Sequence, residues 1–191
     1  MTAKEEILRV AKEKFLMFGS KHIGMDELAA LLGISKKTIY GHFPSKEDLV
    51  NESIKLLITE FNEDASAFLN GNNDHLEKIV SVYDVVFDYL VRFRPSFVVG
   101  LRKYYPKAYG TYREFTEEFV FTVIFDLLVK AGKQGKIRQE TDPELFCKLY
   151  FFKLENRLFT EDNLLDDHSK EQLFEAMNLV PLRGIRTVPP P

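Results

Sequence analysis

Cationic and hydrogen-bonding side chains are concentrated in one short segment, "GISKKTIYGHFPSKEDL", which begins at Gly33 and ends at Leu49. Lysine side chains neutralise phosphate or donate to guanine, and hydroxyl and imidazole groups hydrogen-bond to phosphate oxygens. The composition therefore favours contact with a polyanion. The candidate residues are Lys36, Lys37, Tyr40, His42 and Lys46.

The charge of the whole chain does not favour such a contact. The 191 residues carry a formal net charge of −3. Residues 1–50 contain eight Lys and Arg against seven Asp and Glu, and the remainder is acidic. General attraction of nucleic acid needs an excess of positive charge, so any contact with DNA must be local.

Apolar residues recur at helical spacing along almost the whole chain, whereas strand signals are nearly absent. The predicted fold class is therefore all-α, with about nine helices. The predicted helices cover about residues 3–18, 25–32, 36–43, 46–69, 76–90, 96–105 and 108–131, followed by one that starts at 143 and one that starts near 169. The candidate polyanion-binding residues lie on the third helix and at the start of the fourth.

The second and third predicted helices fit a helix-turn-helix. Ala29 lets the helices cross closely, Gly33 accepts the backbone angles of a tight turn, and Ile39 fills the angle between them. Pro44 disfavours helical geometry at Phe43 and keeps the third helix short. Ser35 is a good cap for the start of the third helix. A solvated surface would explain the lysines alone, but not their occurrence with this cap, turn and helix length.

The cysteine content and the hydropathy exclude several classes of protein. Cys147 is the single cysteine, so an intramolecular disulfide or a cysteine-based zinc site is excluded. The N-terminal "MTAKEEILRVAKEKF" lacks the apolar core of a secretory signal. The most apolar run, residues 119–129, is shorter than the roughly 20 residues of a membrane span. These features favour a reducing cytoplasm and no membrane partner.

No arrangement of residues that supports catalysis is found. None of the four histidines follows a glutamate by three residues, so the Glu-x-x-His pair of di-iron bundles is missing. No phosphate-binding glycine loop is present, and Cys147 lies on an apolar stripe typical of a packing residue. We therefore expect no catalytic residues, no metal site and no cofactor, and a protein that is not an enzyme.

The stretch "GMDELAALLGISKKTIYGHFPSKEDLV" resembles the DNA-binding signature of the TetR (tetracycline-repressor-like) family of transcriptional regulators. The strong match covers about residues 3–57, and "LRKYYPKAY" and "GKIRQETDPELF" resemble weaker C-terminal landmarks. The resemblance implies a helix-turn-helix DNA-binding domain at 1–48 and a helical effector-binding and dimerisation domain at 49–188, before a loose tail at 189–191. It implies that Ser35, Lys36, Lys37, Thr38, Tyr40 and His42 face the major groove and that Tyr40, His42 and Lys46 lie near phosphates.

Three positions depart from the family's common pattern. Gly24 stands where Ser or Thr often caps the second helix and touches phosphate. Lys37 stands where glycine is common and adds a cation. Gly41 replaces a bulky, often aromatic residue and weakens a short helix by about 1 kcal/mol relative to alanine. The bases that this chain reads should therefore depend on Lys37 and Gly41.

Aromatic residues are concentrated after residue 50, where 21 of the 25 occur. Aromatic residues at helical spacing are core residues first. The resemblance nevertheless implies that these helices enclose a pocket for a small apolar or aromatic effector. The candidates for its lining are Tyr83, Phe87, Tyr104, Tyr112, Phe115 and Phe119.

The helix that starts at Pro143 carries two apolar stripes. One contains Leu145, Leu149 and Phe152, and the other begins at Cys147. An outer helix of a single chain usually covers only one stripe, so the second indicates a partner subunit. The predicted interface of a homodimer comprises Cys147, Phe151, Leu154, Leu158, Leu173 and Met177.

Two functions from different classes fit these features. The first is a ligand-responsive transcription factor, most often a repressor in this family, that leaves a near-palindromic DNA operator when its effector binds. The second is a helical binding or scaffold module for a lipid-like molecule or a partner helix, with a helix-turn-helix that does not bind DNA. The first requires the basic side chains of the third helix to be exposed on the same face as Lys46.

Overall fold

The computed structural model describes residues 2–159 and 163–187. Within those ranges it contains eleven helices and no β-strand, which confirms the predicted all-α fold class. The predicted tail at 189–191 lies outside the described residues. The helices are α1 (Ala3–Phe18), α2 (Met25–Leu32), α3 (Lys36–His42), α4 (Lys46–Leu69), α5 (His75–Leu90), α6 (Pro95–Tyr104), α7 (106–133), α8 (143–151), α9 (Leu154–Leu158), α10 (Leu164–Asp167) and α11 (170–185).

The chain divides into two compact units. Unit 1 comprises Met1–Glu60 and Arg92–Glu114, and unit 2 comprises Phe61–Val91 and Phe115–Pro191. Unit 1 therefore contains α1 to α3, most of α4, α6 and the start of α7. The boundary predicted from the sequence between residues 48 and 49 stays a prediction.

The core of unit 1 holds the short helix α3 in place. Ile39, on α3, and Phe43, directly after it, are almost completely buried. Phe15 of α1, Leu28 of α2 and Leu49 of α4 are also buried in this unit. The remaining positions of α3 are left at the surface.

The turn between α2 and α3 depends on Gly33. Its φ angle of 65° is left-handed, and its backbone N–H donates to the carbonyls of Ala29 and Ala30. The N–H of Ile34 also donates to the carbonyl of Ala29, at 3.0 Å. This is the hydrogen-bond pattern of a glycine C-cap, in which a residue without Cβ ends the helix and redirects the chain.

In unit 2, α5 packs against the C-terminal part of α7 and against α11. Its buried face includes Ile79, Val82 and Phe87. Asp74 caps the helix by accepting from the N–H of Leu76 at 2.7 Å. The segment with this clean apolar periodicity therefore forms a core helix.

Three helices of unit 2 contain a π-helical segment: Phe119–Ile124 in α7, Cys147–Phe151 in α8 and Glu175–Leu179 in α11. The first segment packs against the second, and the second packs against the third. A π turn holds more residues than an α turn, so the side chains beyond it face a direction that 3.6-residue periodicity does not predict.

The helix predicted to start at 143 is interrupted after Phe151. Phe152 is extended, and Lys153 has a left-handed φ of 56°. The guanidinium of Arg157 donates to the carbonyls of Leu149 and Tyr150, both at 2.5 Å, and so satisfies acceptors near the end of α8. The chain then resumes as α9.

Pro181 lies inside α11. A proline is expected from the sequence to kink or end a helix, because it lacks an N–H and its ring clashes with a preceding carbonyl. Here the helix continues to Ile185, and the π-helical segment Glu175–Leu179 directly precedes the residue before the proline.

No helix in the described ranges has the length and apolar character needed to cross a bilayer.

The two glycines that flank Ile39 should respond in opposite ways to alanine. A Cβ at either position meets no atom within 4 Å, so only the backbone decides. Gly33→Ala should destabilise the protein by about 1–2 kcal/mol because its φ is left-handed, whereas Gly41→Ala should stabilise α3 by about 1 kcal/mol. Urea unfolding followed by circular dichroism measures both changes. Shifts of the same sign would contradict this account of the turn.

Candidate nucleic-acid interface

The first turn of α3 is held by two hydroxyl groups. Ser35 Oγ accepts from the N–H of Thr38 at 3.0 Å and lies 2.8 Å from Thr38 Oγ1. Both residues are exposed, as the sequence predicts for a surface that faces DNA. Their hydroxyls already cap the helix, so their first role is to begin α3.

Lys36 is neutralised by a neighbouring helix. Its Nζ lies 2.8 Å from Asp26 Oδ2, on α2, and the pair is well exposed to solvent. This hydrogen bond is the main reason that the pKa of Lys36 is raised. A phosphate that binds Lys36 must therefore compete with a carboxylate.

The free face of α3 is formed by Lys37 and by Tyr40 and Gly41, which lie three and four residues after it. His42 is exposed beside them. Within the described residues Lys37 has no hydrogen-bond or ion-pair partner, so its ammonium group is available to an incoming ligand. Ile39 is buried in the core, and its burial fixes the orientation of this free face.

Lys46, at the start of α4, is only partly exposed. Its Nζ donates to the carbonyl of Lys21 at 3.5 Å and lies 5.7 Å from the ring centroid of Tyr105. Burial is the main cause of its lowered pKa, which the charge of Glu27 partly opposes. Lys46 is therefore positioned by the turn after α1 and the turn after α6.

The N-terminus of α4 is capped by Ser45. Ser45 Oγ accepts from the N–H of Asp48 at 3.0 Å and donates to the carboxylate of the same residue at 2.8 Å. Lys107 Nζ lies 2.9 Å from Asp48 Oδ1, and this hydrogen bond is the main cause of the lowered pKa of Asp48. Ser45 and Lys107 thus hold Asp48 and the first turn of α4 in place beside α3.

A group of basic and aromatic residues that was not predicted to bind DNA lies next to Lys46. Lys21 Nζ donates to the hydroxyl of Tyr104 at 2.9 Å and lies 4.4 Å from its ring centroid. Lys103 Nζ lies 5.4 Å from the same centroid. The cation-rich "LRKYYPK" signals these residues, but no local pattern pairs them with Lys21, which is more than 80 positions away.

Tyr104 is also one of the residues predicted to bind the effector, and that role stays a prediction. Its side chain is 39% exposed in unit 1 and is engaged by two lysines. The hydrogen bond from Lys21 is the main cause of its lowered pKa. Tyr112 also belongs to unit 1 and is buried there.

The other four predicted effector residues lie in unit 2. Tyr83 stacks on Phe151 at 4.3 Å and Phe87 meets Phe174 edge-on at 5.4 Å, so both pack as core residues. Full burial raises the pKa of the Tyr83 hydroxyl well above its ordinary value. Phe115 and Phe119 form a separate aromatic group with Phe61, which lies 5.6 Å from Phe115 and 5.2 Å from Phe119 between ring centroids.

The predicted dimer interface is largely inside unit 2. Five of its six residues are buried within the protomer and Met177 is half-buried. The exposed apolar residues are instead Leu145 and Leu149, at 52% and 54%, on the stripe that the sequence assigned to the core, together with Val180. The two stripes keep their predicted members, and only their roles are exchanged, because periodicity alone does not say which of two apolar stripes faces the core of the protomer. The buried residues are Cys147, Phe151, Leu154, Leu158 and Leu173.

The environment of Cys147 is that of a packing residue. Its thiol is buried and donates to the carbonyl of Val120 at 3.9 Å. Burial raises the pKa of this thiol to about 12, so very little thiolate forms near neutral pH. Across residues 2–159 and 163–187, no three His, Cys, Asp or Glu side chains are grouped as metal ligands.

Comparison with known proteins agrees with this geometry. The sequence model of the family described as bacterial regulatory proteins, tetR family, matches residues 7–53. The helix-turn-helix transcriptional regulator YvaF of Bacillus subtilis (strain 168) is 26% identical over 94% of this chain and 92% of its own length. The regulator LuxR of Vibrio harveyi is 24% identical over 77% of this chain and 73% of its own length.

Solved structures of regulators share the fold. The fatty acid degradation regulator FadR from Bacillus halodurans superimposes with a TM-score of 0.75 at 19% identity, over 98% of this chain and 99% of its own. A regulator from Saccharomonospora viridis in complex with choline gives 0.78 at 18% identity, over 97% and 98%. The relatives are transcriptional regulators, in keeping with the expectation of a chain that is not an enzyme. The match of residues 7–53 to the TetR family model and the regulator relatives together support a DNA-binding transcriptional regulator of the TetR family.

Proposed function

We propose that the chain is a homodimeric repressor that a small apolar or aromatic effector releases from a near-palindromic operator. The observation that carries the DNA-binding part is the outward face of α3, where Lys37, Tyr40 and His42 are exposed while Ile39 is buried. Residues 1–48 are the proposed DNA-binding domain and residues 49–188 the proposed effector-binding and dimerisation domain. Lys46 adds a cation at the start of α4.

The proposed dimer supplies the second recognition helix. Two copies of α3 must enter successive major grooves roughly 34–36 Å apart, so the operator must repeat its half-site with two-fold symmetry. The surface that fits this role is the apolar stripe of Leu145 and Leu149 on α8, with Val180 on α11 as a further exposed apolar residue. This set replaces the buried residues that the sequence suggested.

The proposed effector site is the aromatic group of Phe61, Phe115 and Phe119 in unit 2. Phe115 is only half-buried, whereas Tyr83 and Phe87 are closed into the core. Three structural neighbours are described as a fatty acid degradation regulator, a ketosteroid transcriptional regulator and a regulator in complex with choline. Small organic effectors of mainly apolar character fit an aromatic lining.

Release of DNA requires unequal binding. An effector lowers the affinity for DNA only if it binds more tightly to a conformation in which the two copies of α3 have the wrong spacing. The coupling is reciprocal, so the operator must weaken the binding of the effector by the same factor. Measurement of both affinities therefore tests the mechanism without knowledge of the path between the sites.

Replacing Tyr40 and Lys46 with alanine together should abolish specific operator binding. The first change removes a hydroxyl donor from the free face of α3, and the second removes the cation at the start of α4, so backbone positioning is lost. Selection from random duplexes supplies the operator, and a mobility-shift titration at fixed salt measures affinity. Lys133→Ala, which removes an exposed lysine of unit 2, is the matched control. Unchanged affinity of the double variant would remove these residues from the interface.

Leu149→Glu should convert the dimer to a monomer while helicity is retained, because the side chain is exposed in the protomer and a buried carboxylate is costly at an apolar interface. Light scattering gives the mass. Leu31→Glu is the control, since Leu31 is equally exposed at 52% but lies on α2. A variant that remains dimeric would show that α8 does not supply the interface.

Phe115→Ala should weaken the response to an effector. A fatty acid, a steroid and choline are titrated against the operator complex, and the melting temperature of the free protein is recorded with each. A compound that releases DNA should do so with at least several-fold lower potency in Phe115→Ala, because an aromatic contact is lost. Phe18→Ala, at an exposed aromatic residue of α1, should respond as the wild type does. Equal potency in both variants would place the effector elsewhere.

A further inference from the structure

We propose that Lys21, Lys103 and Tyr104 form a second phosphate-binding surface, which contacts the DNA backbone beyond the contacts of α3 and the start of α4. The inference rests on DNA binding by unit 1 and adds residues that lie outside the helix-turn-helix face. It is carried by the convergence of two lysines on one exposed tyrosine ring.

The geometry of this surface brings together two distant parts of the chain. Lys21 follows α1, whereas Lys103 and Tyr104 end α6. Both ammonium groups face the same ring, at 4.4 and 5.4 Å from its centroid, and the tyrosine hydroxyl accepts from Lys21 at 2.9 Å. Cation–π attraction therefore holds both ammonium groups beside one exposed tyrosine ring.

These charges are not compensated. In the described part of the chain neither Lys21 nor Lys103 forms an ion pair, unlike Lys36 and Lys107, which each pair with a carboxylate. Two neighbouring ammonium groups repel each other, and an anion that approaches both relieves that repulsion. In a chain with a net charge of −3, such a site attracts anions locally rather than generally.

The surface is continuous with a residue already placed near phosphate. Lys46 Nζ donates to the backbone carbonyl of Lys21 at 3.5 Å. The hydroxyl of Tyr105 donates to the carbonyl of Ser20 at 3.3 Å, so the turn after α6 is fastened to the turn after α1. A DNA strand that reaches Lys46 therefore lies next to Lys21.

The residue types favour phosphate over a base edge. Lysine and tyrosine side chains are frequent partners of the DNA backbone, and such contacts fix position without reading sequence. Loss of the surface should consequently weaken binding to all duplexes by a similar factor. It should also reduce the dependence of affinity on salt, because each phosphate contact that is lost removes about 0.9 from the slope of log K against log salt.

The test compares wild type with Lys21→Gln/Lys103→Gln on the selected operator and on an unrelated duplex, across a series of salt concentrations. In a dimer this variant loses up to four contacts, so we expect the slope to fall by about 2–4 on the operator. Ethylation interference should identify, for the wild type, phosphates whose modification weakens binding. Some of these should be lost in the Lys21→Gln/Lys103→Gln variant and should differ from those that are lost in Tyr40→Ala. Lys103→Arg retains the charge and should retain the slope.

Three controls make the result decisive. Circular dichroism melting shows that the variant is folded, and Tyr104→Phe, which removes only the hydroxyl, supplies a second, milder variant. Lys133→Gln corrects for the loss of any surface lysine.

An unchanged salt slope, together with the same ethylation-interference pattern as the wild type, would overturn the inference while leaving the proposed function intact. A wild-type chain that binds no duplex would overturn both, and a slope that changes without any new interference position would assign these lysines to long-range attraction instead.

Discussion

Burial of Ile39 and Phe43 is the interaction on which the DNA-binding surface depends. An isolated helix of seven residues is not stable in water, so α3 exists only because its apolar side is fixed in the core of unit 1. The cap at Ser35 begins the helix, and the turn at Gly33 sets its direction from α2. Because this anchoring uses one side of the helix only, the other side is free to present Lys37 and Tyr40.

The placement of charge explains how an acidic chain serves a polyanionic partner. Lys36 and Lys107 are held by carboxylates, whereas Lys37, Lys21 and Lys103 form no ion pair in the described residues. Exposed ion pairs contribute little stability, so their main effect is on the local field. Pairing lowers the potential around some cations, and the unpaired ones define where phosphate is attracted most.

The sequence predicted α1, α2 and α4 within their observed bounds because glycine stops and capping residues are local signals. In unit 2 it predicted α5 but not the π-helical segments, which leave no comparable local signal. Periodicity did not decide whether the stripe of Cys147 or that of Leu149 faces the core, and the left-handed Lys153 could not be foreseen. The helix through Pro181 is a third case, since a proline normally indicates an end.

The candidate DNA-binding residues show the same contrast between features that have a local sequence signal and features that have none. Ser35, Thr38 and Lys36 were correctly placed at the surface, but their hydrogen bonds and ion pair depend on side-chain geometry that residue type alone does not reveal. The setting of Tyr104 depends on a contact between residues 21 and 104, for which a single sequence has no signal.

Such a contact has a mechanistic consequence within unit 1. The turns after α1 and α6 are fastened to each other and to Lys46, so a shift of α6 would move cations on the DNA-binding side of the same unit. Phosphate contacts are geometrically demanding because the duplex fixes their spacing. A small displacement of α6 would therefore reduce the affinity for DNA through the position of these lysines alone, with the proposed sequence-reading face of α3 unchanged.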